Sequence, residues 1–471
     1  MSHFESNTLL RSGGSTESEN RFFISLFTGG GVGDIGFVSA GLELKVANEL
    51  ESDRAALVSH NFPEARIFIG DIWKLKNELV AFIQENNINK PFLLFATPPC
   101  QGMSQNGVGS LLRNYRVGKR PKLDPRNRLI LPALWIASQI RPKWVVFENV
   151  PNMLNTVIMD QNSELRNIMD VIDSSMKPDY VASAKICEFA DYGLPQRRKR
   201  LITIYTRDET AKKLYSLGYE LHPPTTHSAE GGDGKQKWVT VREALKGFAS
   251  LDAKSSQTAR DPKNGLHHVP VLDAKKYEWI KYTAENSSAF DNQCINPDCG
   301  YKGNPAHGSQ LDSAGINRAK KDTPLYCARC GSLLPRPYVI KNGTKRIMSG
   351  YTSAYKRMAW DLPASTLTRN FSFPCSDNKI HPKENRVLSL AEACKLQSIS
   401  DYSYSWGPIK VGQRSYKIAP DTLIRNVIGE SVPPLITHII GMYLLAMSKG
   451  QACLLSQFPE ARRTVVLGQF T

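Results

Sequence analysis

Cys100 stands in Phe95-Ala-Thr-Pro-Pro-Cys-Gln-Gly-Met-Ser104, just after the apolar run Pro91–Ala96. A thiol there lies between a rigid Pro-Pro and a flexible glycine, a good position for nucleophilic attack as the thiolate. Most cysteines are small core residues, so a nucleophile must be recognised by its partners elsewhere in the chain. Two candidates occur. Glu148 closes the apolar run Trp144–Phe147 in Phe147-Glu-Asn-Val-Pro151. Gln196, Arg198 and Arg200 alternate through Gln196-Arg-Arg-Lys-Arg200, so in a strand they share one face. Taken alone, such a basic run is an ordinary solvated edge.

A second constellation surrounds Phe27-Thr-Gly-Gly-Gly-Val-Gly-Asp-Ile-Gly36, which follows an apolar run and precedes a helical pattern. Glycines there let the backbone approach a ligand and leave amides free near a helix N-terminus. A lone glycine turn is weak, since many are only tight connections. Glu49 strengthens it, lying about 20 residues on, the usual place for a carboxylate that holds ribose hydroxyls. Asp71, in Ile69-Gly-Asp-Ile72, sits where a third strand ends and could accept a bond from an adenine amino group.

These residues need a scaffold that brings strand ends together. Arg21–Phe27, Pro91–Ala96 and Lys143–Phe147 are short apolar runs, and helical patterns such as Leu129–Ile140 lie between them. Buried strands alternating with helices indicate a parallel α/β sheet, whose ligands bind beyond the carboxyl ends of its strands. Leu201–Tyr205 adds a further strand. The texture then becomes loop-like, and helical patterns return at Ser389–Gln397, Leu423–Val427 and Leu435–Met447. This divides the chain into a loose tail (1–20), a catalytic α/β unit (21–205), an irregular recognition unit (206–385) and a C-terminal return to the first unit (386–471).

Composition narrows the class. A chain of 471 residues that is 41% hydrophobic builds a substantial core, and about 150 residues per domain gives roughly three units. The polar N-terminus is no signal peptide, and Leu435–Met447 is too short to span a bilayer. The expectation is a soluble, cytoplasmic, nucleoid-associated, monomeric protein. Sixty Lys+Arg against 44 Asp+Glu, a net charge of +16, favour a polyanionic partner.

Nine cysteines fit reduced thiols or metal ligands better than a disulfide framework. Cys294, Cys299, Cys327 and Cys330 form two pairs, each followed by glycine, within the polar segment 294–330. Four thiolates suit tetrahedral zinc, and a segment too polar for a core gains folding energy from the ion. We therefore expect a structural, zinc-ribbon-like insert, with His307 the weaker ligand candidate. Cys187, Cys375, Cys394 and Cys453 receive no role. From Pro324 to Trp360 there are seven Lys/Arg and no acid, interleaved with Tyr338, Tyr351 and Tyr355. Phosphate contact suits most of them.

Taken in order, Phe27/Gly29/Gly31, Pro99-Cys100-Gln101, Glu148-Asn149-Val150, Gln196/Arg198/Arg200 and Gly429-Glu-Ser-Val-Pro-Pro434 resemble the cytosine-5 DNA methyltransferase family. Asp191-Tyr-Gly193, Pro363–Thr368 and His381-Pro382 with Arg386 support the match. It extends from about Arg21 to the last helix.

The resemblance implies a Rossmann-like methyltransferase domain, interrupted by a recognition domain, that binds S-adenosylmethionine and duplex DNA. Cys100 would attack carbon 6 of a flipped-out cytosine, and carbon 5 would take the methyl. Glu148 would bond ring nitrogen 3 and the amino group. Arg198 would bind the cytosine carbonyl oxygen and steady the thiolate, with Arg200 in support. Gln101 would begin a mobile loop, here a basic flap containing Arg113, Arg116, Lys119, Arg120, Lys122, Arg126 and Arg128. Phe27, Gly29, Gly31, Glu49, Leu50, Asp71 and Ser431 would line the cofactor site, with Phe27 on the adenine. Leu50, Val32 and Glu430 replace a frequent aromatic, glycine and asparagine. The family also implies a modification enzyme with a cognate restriction endonuclease. An RNA cytosine methyltransferase and a non-enzymatic zinc-dependent DNA-binding protein are the rival readings. The large basic recognition region opposes the first, and intact Cys100, Glu148 and Arg198 oppose the second.

Overall fold

The structure is a computed structural model that describes residues 20–88, 90–99, 123–311, 317–320, 322–348, 353–376 and 378–451. Cys100, Gln101 and flap residues 113–122 lie outside the described residues.

Among the described residues, the largest sheet has seven strands: β1 (Phe22–Leu26), β2 (Glu43–Glu49), β3 (Arg66–Ile69), β4 (Leu93–Ala96), β5 (Trp144–Asn149), β6 (Val181–Glu188) and β7 (Lys199–Thr206). They lie in the order β3-β2-β1-β4-β5-β7-β6. β1 through β5 pair in parallel, and central β1, β4 and β5 carry the near-continuous apolar runs of strands buried on both faces. β7 runs antiparallel to both β5 and β6. The sheet is therefore mixed, a correction to the all-parallel expectation. The connection 189–198 between β6 and β7 is too short for a parallel crossover, so the chain must turn back.

Alternate side chains of each strand feed two cores. Phe23, Phe95, Val146 and Ile204 pack on one face with α1 (Val32–Ser39) and the final helix, α8 (Pro434–Ser448). Ile24, Leu94, Val145 and Phe147 pack on the other with α3 (Ile72–Glu85), α4 (Ile130–Ile140) and α5 (Ile168–Met176). The result is a helix–sheet–helix sandwich. α2 (Ser52–Asn61), α6 (Leu390–Leu396) and α7 (Asp421–Glu430) contribute to a third cluster beside it.

α1 and α8 approach closely because of glycine. A Cβ on Gly36 would stand 2.1 Å from Thr437 Oγ1 and 2.2 Å from the Pro434 carbonyl oxygen. The Thr437 hydroxyl donates to the Gly33 carbonyl at 2.6 Å. No single described helix is long and apolar enough to cross a membrane, and the apolar run of α8 is core.

The region 206–385 is built differently. It carries short helices such as Ala274–Lys281 and several two-stranded sheets, one of them a ribbon, Tyr338–Lys341 paired with Thr344–Ile347. Its small core gathers Trp279, Ile280, Phe290, Tyr355 and Ile380.

Candidate active site

β1 ends at Leu26, and the chain turns through Phe27, Gly29 and Gly31, all at positive φ (60°, 60° and 78°), into α1. Glycine suits this left-handed path, and at Gly31 an added Cβ would also meet the Phe62 ring at 2.7 Å. At Gly29 an added Cβ would meet nothing within 4 Å, so that side of the turn is open. The Gly29 amide donates to Glu49 Oε2 at 2.7 Å, and the Glu51 amide donates to Oε1 at 3.0 Å. Glu49 is buried at the end of β2, and burial raises its pKa.

Neighbouring strand ends are tied together by a residue that sequence reasoning missed. The buried Asn48 amide donates to the carbonyls of Phe68 (2.9 Å) and Gly70 (3.1 Å). This holds Asp71 beside the Glu49 turn. One oxygen of Asp71 accepts the Trp73 amide at 3.0 Å and so caps α3. Leu50 (62% exposed) and Trp73 (38% exposed) follow the same two strand ends. Exposed apolar groups beside a carboxylate pair suit a flat, polar-edged ring. Trp73 had no motif to mark it. Asp34, also missed, lies buried in the first turn of α1. It accepts the Thr28 hydroxyl, and burial raises its carboxyl to about 6.

The ends of β4 and β5 adjoin this turn. The Thr97 hydroxyl, just past β4, donates to the Phe27 carbonyl at 2.9 Å. The Asn149 amide donates to the Pro98 carbonyl at 2.9 Å. These two bonds fix the chain that runs into Cys100. Next to Asn149, Glu148 is nearly enclosed, and its Oε1 lies 2.9 Å from Arg200 Nε. The antiparallel register sets Glu148 opposite Ile202 and so brings Arg200 within reach. A carboxylate that far from water needs such a partner.

Arg198 does not share that position. It is 1% exposed, and its guanidinium donates to the carbonyls of Leu367 (3.0 Å), Gly429 (3.5 Å) and Ser431 (3.1 Å). Arg200 thus meets Glu148, while Arg198 meets the backbone carbonyls of two separate turns. Alternation along a strand gives the face a side chain shares, but not its depth, and Arg198 precedes the first residue of β7. Gln196 is likewise internal. It accepts the Leu367 amide at 2.8 Å and donates to Gln397 at 2.7 Å. Gln397 in turn donates to the Ser431 carbonyl at 2.9 Å. Ser431, which caps α7, is therefore clasped to the catalytic edge through residues some 200 positions apart. Glu430 pairs with Arg54 at 2.8 Å.

Cys294, Cys299, Cys327 and Cys330 converge, with their Sγ atoms all within 4.8 Å of one another. Cys294–Cys330 are 3.6 Å apart and Cys299–Cys327 3.9 Å. A tetrahedral site with Zn–S of about 2.3 Å has sulfurs about 3.8 Å apart. Each pair ends in a left-handed glycine, Gly300 (φ 55°) and Gly331 (φ 69°). His307 instead pairs with Asp291 at 2.8 Å.

The basic stretches are partly internal. Arg336 and Arg357 are buried, and Tyr338 and Tyr355 pack on Trp279 with ring centroids 5.6 and 5.5 Å away. These groups support the region rather than meet phosphates. Tyr351 lies outside the described residues. Arg126 is engaged by Asp124 (Nε–Oδ1 2.9 Å), which its hydrogen bond holds down at about 2.

The mixed central sheet, with its glycine turn and strand-end carboxylates, is that of an α/β methyltransferase fold. The family model for C-5 cytosine-specific DNA methylase matches residues 22–445. The chain belongs to that family, and is a DNA cytosine-5-methyltransferase. It is 27% identical to the Type II methyltransferase M1.HgaI of Avibacterium volantium, over 90% of this chain and 97% of that one. It is 22% identical to M1.HphI of Haemophilus parahaemolyticus, over 91% and 88%. Among solved structures it is similar to one described as a DNA modification methyltransferase encoded within an E. coli prophage. The TM-score is 0.51 at 19% identity, covering 90% of this chain and 99% of that one, a likeness of fold.

Proposed function

We propose that the protein methylates carbon 5 of a cytosine flipped out of a specific duplex DNA site, as the modification half of a restriction–modification pair. The Glu148–Arg200 pair, beside the segment that delivers Cys100, carries this reading. The Cys100 thiolate adds to carbon 6, and the ring electrons move to carbon 5. Glu148 bonds ring nitrogen 3 and the amino group and so stabilises the charge that develops. Arg200 orients Glu148 and reaches the pyrimidine carbonyl oxygen; Arg198 positions Ser431 and the Leu367 turn. Carbon 5 takes the methyl from the sulfonium of S-adenosylmethionine, leaving S-adenosylhomocysteine. Loss of the carbon 5 proton to a base restores the ring and expels the thiolate.

S-Adenosylmethionine supplies the methyl group. Gly29 and Gly31 give it an open turn, Glu49 takes its ribose hydroxyls, Asp71 its adenine amino group, and Phe27, Leu50 and Trp73 its flat ring. The four thiolates bind structural zinc, with sulfur spacings that suit the ion. The resemblance to Type II methyltransferases supports pairing this enzyme with a cognate endonuclease.

The test incubates labelled S-adenosylmethionine with duplex DNA and with tRNA, using wild type and Cys100→Ser. Transfer to DNA by wild type alone is expected, and no transfer to DNA overturns the reading. Loss of zinc from Cys327→Ser is expected by metal analysis; unchanged content rejects the four-thiolate site.

A further inference from the structure

The ribbon Tyr338–Lys341/Thr344–Ile347 has two unlike faces. Pairing sets Tyr338 opposite Ile347 and Ile340 opposite Lys345 on one face. Tyr338 and Ile347 of that face pack on the small core around Trp279. Val339, Lys341, Thr344 and Arg346 form the other face, and all four are exposed. The Asn342-Gly343 turn (φ 50° and 74°) is the tight hairpin type that keeps the ribbon narrow.

We infer that this outer face reads the target sequence in the DNA major groove, and that the four-thiolate cluster holds the ribbon in place to do so. The inference rests on duplex DNA being the substrate. A two-stranded ribbon fits a groove about 12 Å wide, and four residues per strand span about four base pairs. Arginine and lysine donate to guanine edges, while the threonine and valine methyls suit thymine. From Pro324 to Trp360 there is no acid to repel phosphates.

The link to the cluster is continuous. Leu334 packs with Cys294 and Cys327, and its amide donates to the Leu325 carbonyl at 2.8 Å. Two residues on, buried Arg336 donates to the carbonyls of Asn292 (2.8 Å), Pro305 (2.9 Å) and Pro324 (2.9 Å). Tyr338 then starts the ribbon. Beyond it the chain reaches the catalytic edge, where the Arg197 amide donates to the Ala364 carbonyl at 2.7 Å.

The test expresses the full chain in cells lacking cytosine methylation and maps methylated sites by bisulfite sequencing. Wild type is expected to give one consensus. Lys341→Ala/Arg346→Ala is expected to methylate that consensus about tenfold less and to relax it at one or more positions. Its zinc content and S-adenosylmethionine affinity should stay within twofold of wild type. An unchanged consensus, whether at full rate or uniformly reduced, overturns groove reading. Chelator-stripped wild type is expected to bind plasmid DNA at least tenfold more weakly while keeping S-adenosylmethionine affinity. Unchanged DNA affinity breaks the link to the cluster. Absence of any methylation by wild type would instead defeat the proposed function itself.

Discussion

In the seven-stranded sheet, the side chains with no exposure are mostly apolar and include Phe23, Ile24, Leu26, Val145 and Val146. In the region 206–385, the least exposed large side chains include Arg336 and Arg357. Arg357 alone donates to the carbonyls of Ile280 (2.9 Å), Thr283 (2.7 Å) and His381 (2.8 Å) and to Asn385 Oδ1 (2.7 Å). Burial lowers its pKa to about 10, but so many acceptors keep it charged at neutral pH. The sheet has long strands that satisfy their own backbone, so apolar groups fill its interior. The middle region has little regular structure, so its carbonyls need donors from elsewhere. A guanidinium supplies up to five, and the four converging cysteines give the region a second point of closure.

This contrast can be broken from either side. Glu148→Gln leaves the sheet folded but should lower methyl transfer by about 10²–10⁴-fold. Single-turnover kinetics with unchanged S-adenosylmethionine affinity would check it. Arg357→Ala leaves several buried carbonyls unpaired and should cost at least about 3 kcal/mol. The loss should be local, with hydrogen exchange rising in 206–385 and not in β1–β5. Gly36→Ala should act oppositely, forcing α1 off α8 at a cost of about 3 kcal/mol and raising hydrogen exchange in the sheet but not in 206–385.

Asp34→Asn has the smallest expected effect and the opposite sign. The Asp34 carboxyl titrates near 6 when folded, above its usual 3.8, so the folded state holds its proton more tightly. Its stability is fully present below about pH 4 and falls as pH rises through 6. The asparagine variant should lose that dependence and gain about 2 kcal/mol at neutral pH, measured by urea unfolding at pH 4 and 7.5.

Much of the sheet was readable because short apolar runs between helical patterns have few alternatives. Glycine turns and strand-end acids then mark the crevice by position alone. The reversed β7 was not readable, since an apolar run looks the same in either direction. The different surroundings of Arg198 and Arg200 were not readable for a similar reason: the carbonyls that Arg198 meets come from Leu367, Gly429 and Ser431. Asn48 and Gln397 act on partners far along the chain and belong to no local pattern. In the middle region the cysteine spacing was informative, whereas the internal arginines looked like a solvated basic stretch.

The close packing of α1 against α8 also bears on folding. Gly33 and Gly36 near one end of the chain meet Pro434 and Thr437 near the other. The first helix can rest Phe37 on Phe23 and Phe95 of the sheet early (ring centroids 5.5 and 5.0 Å away), but its glycine-lined contact with α8 spans 404 positions and must form late. The α1–α8 seam is thus a long-range contact, of the kind whose loop closure must precede its reward and so slows folding.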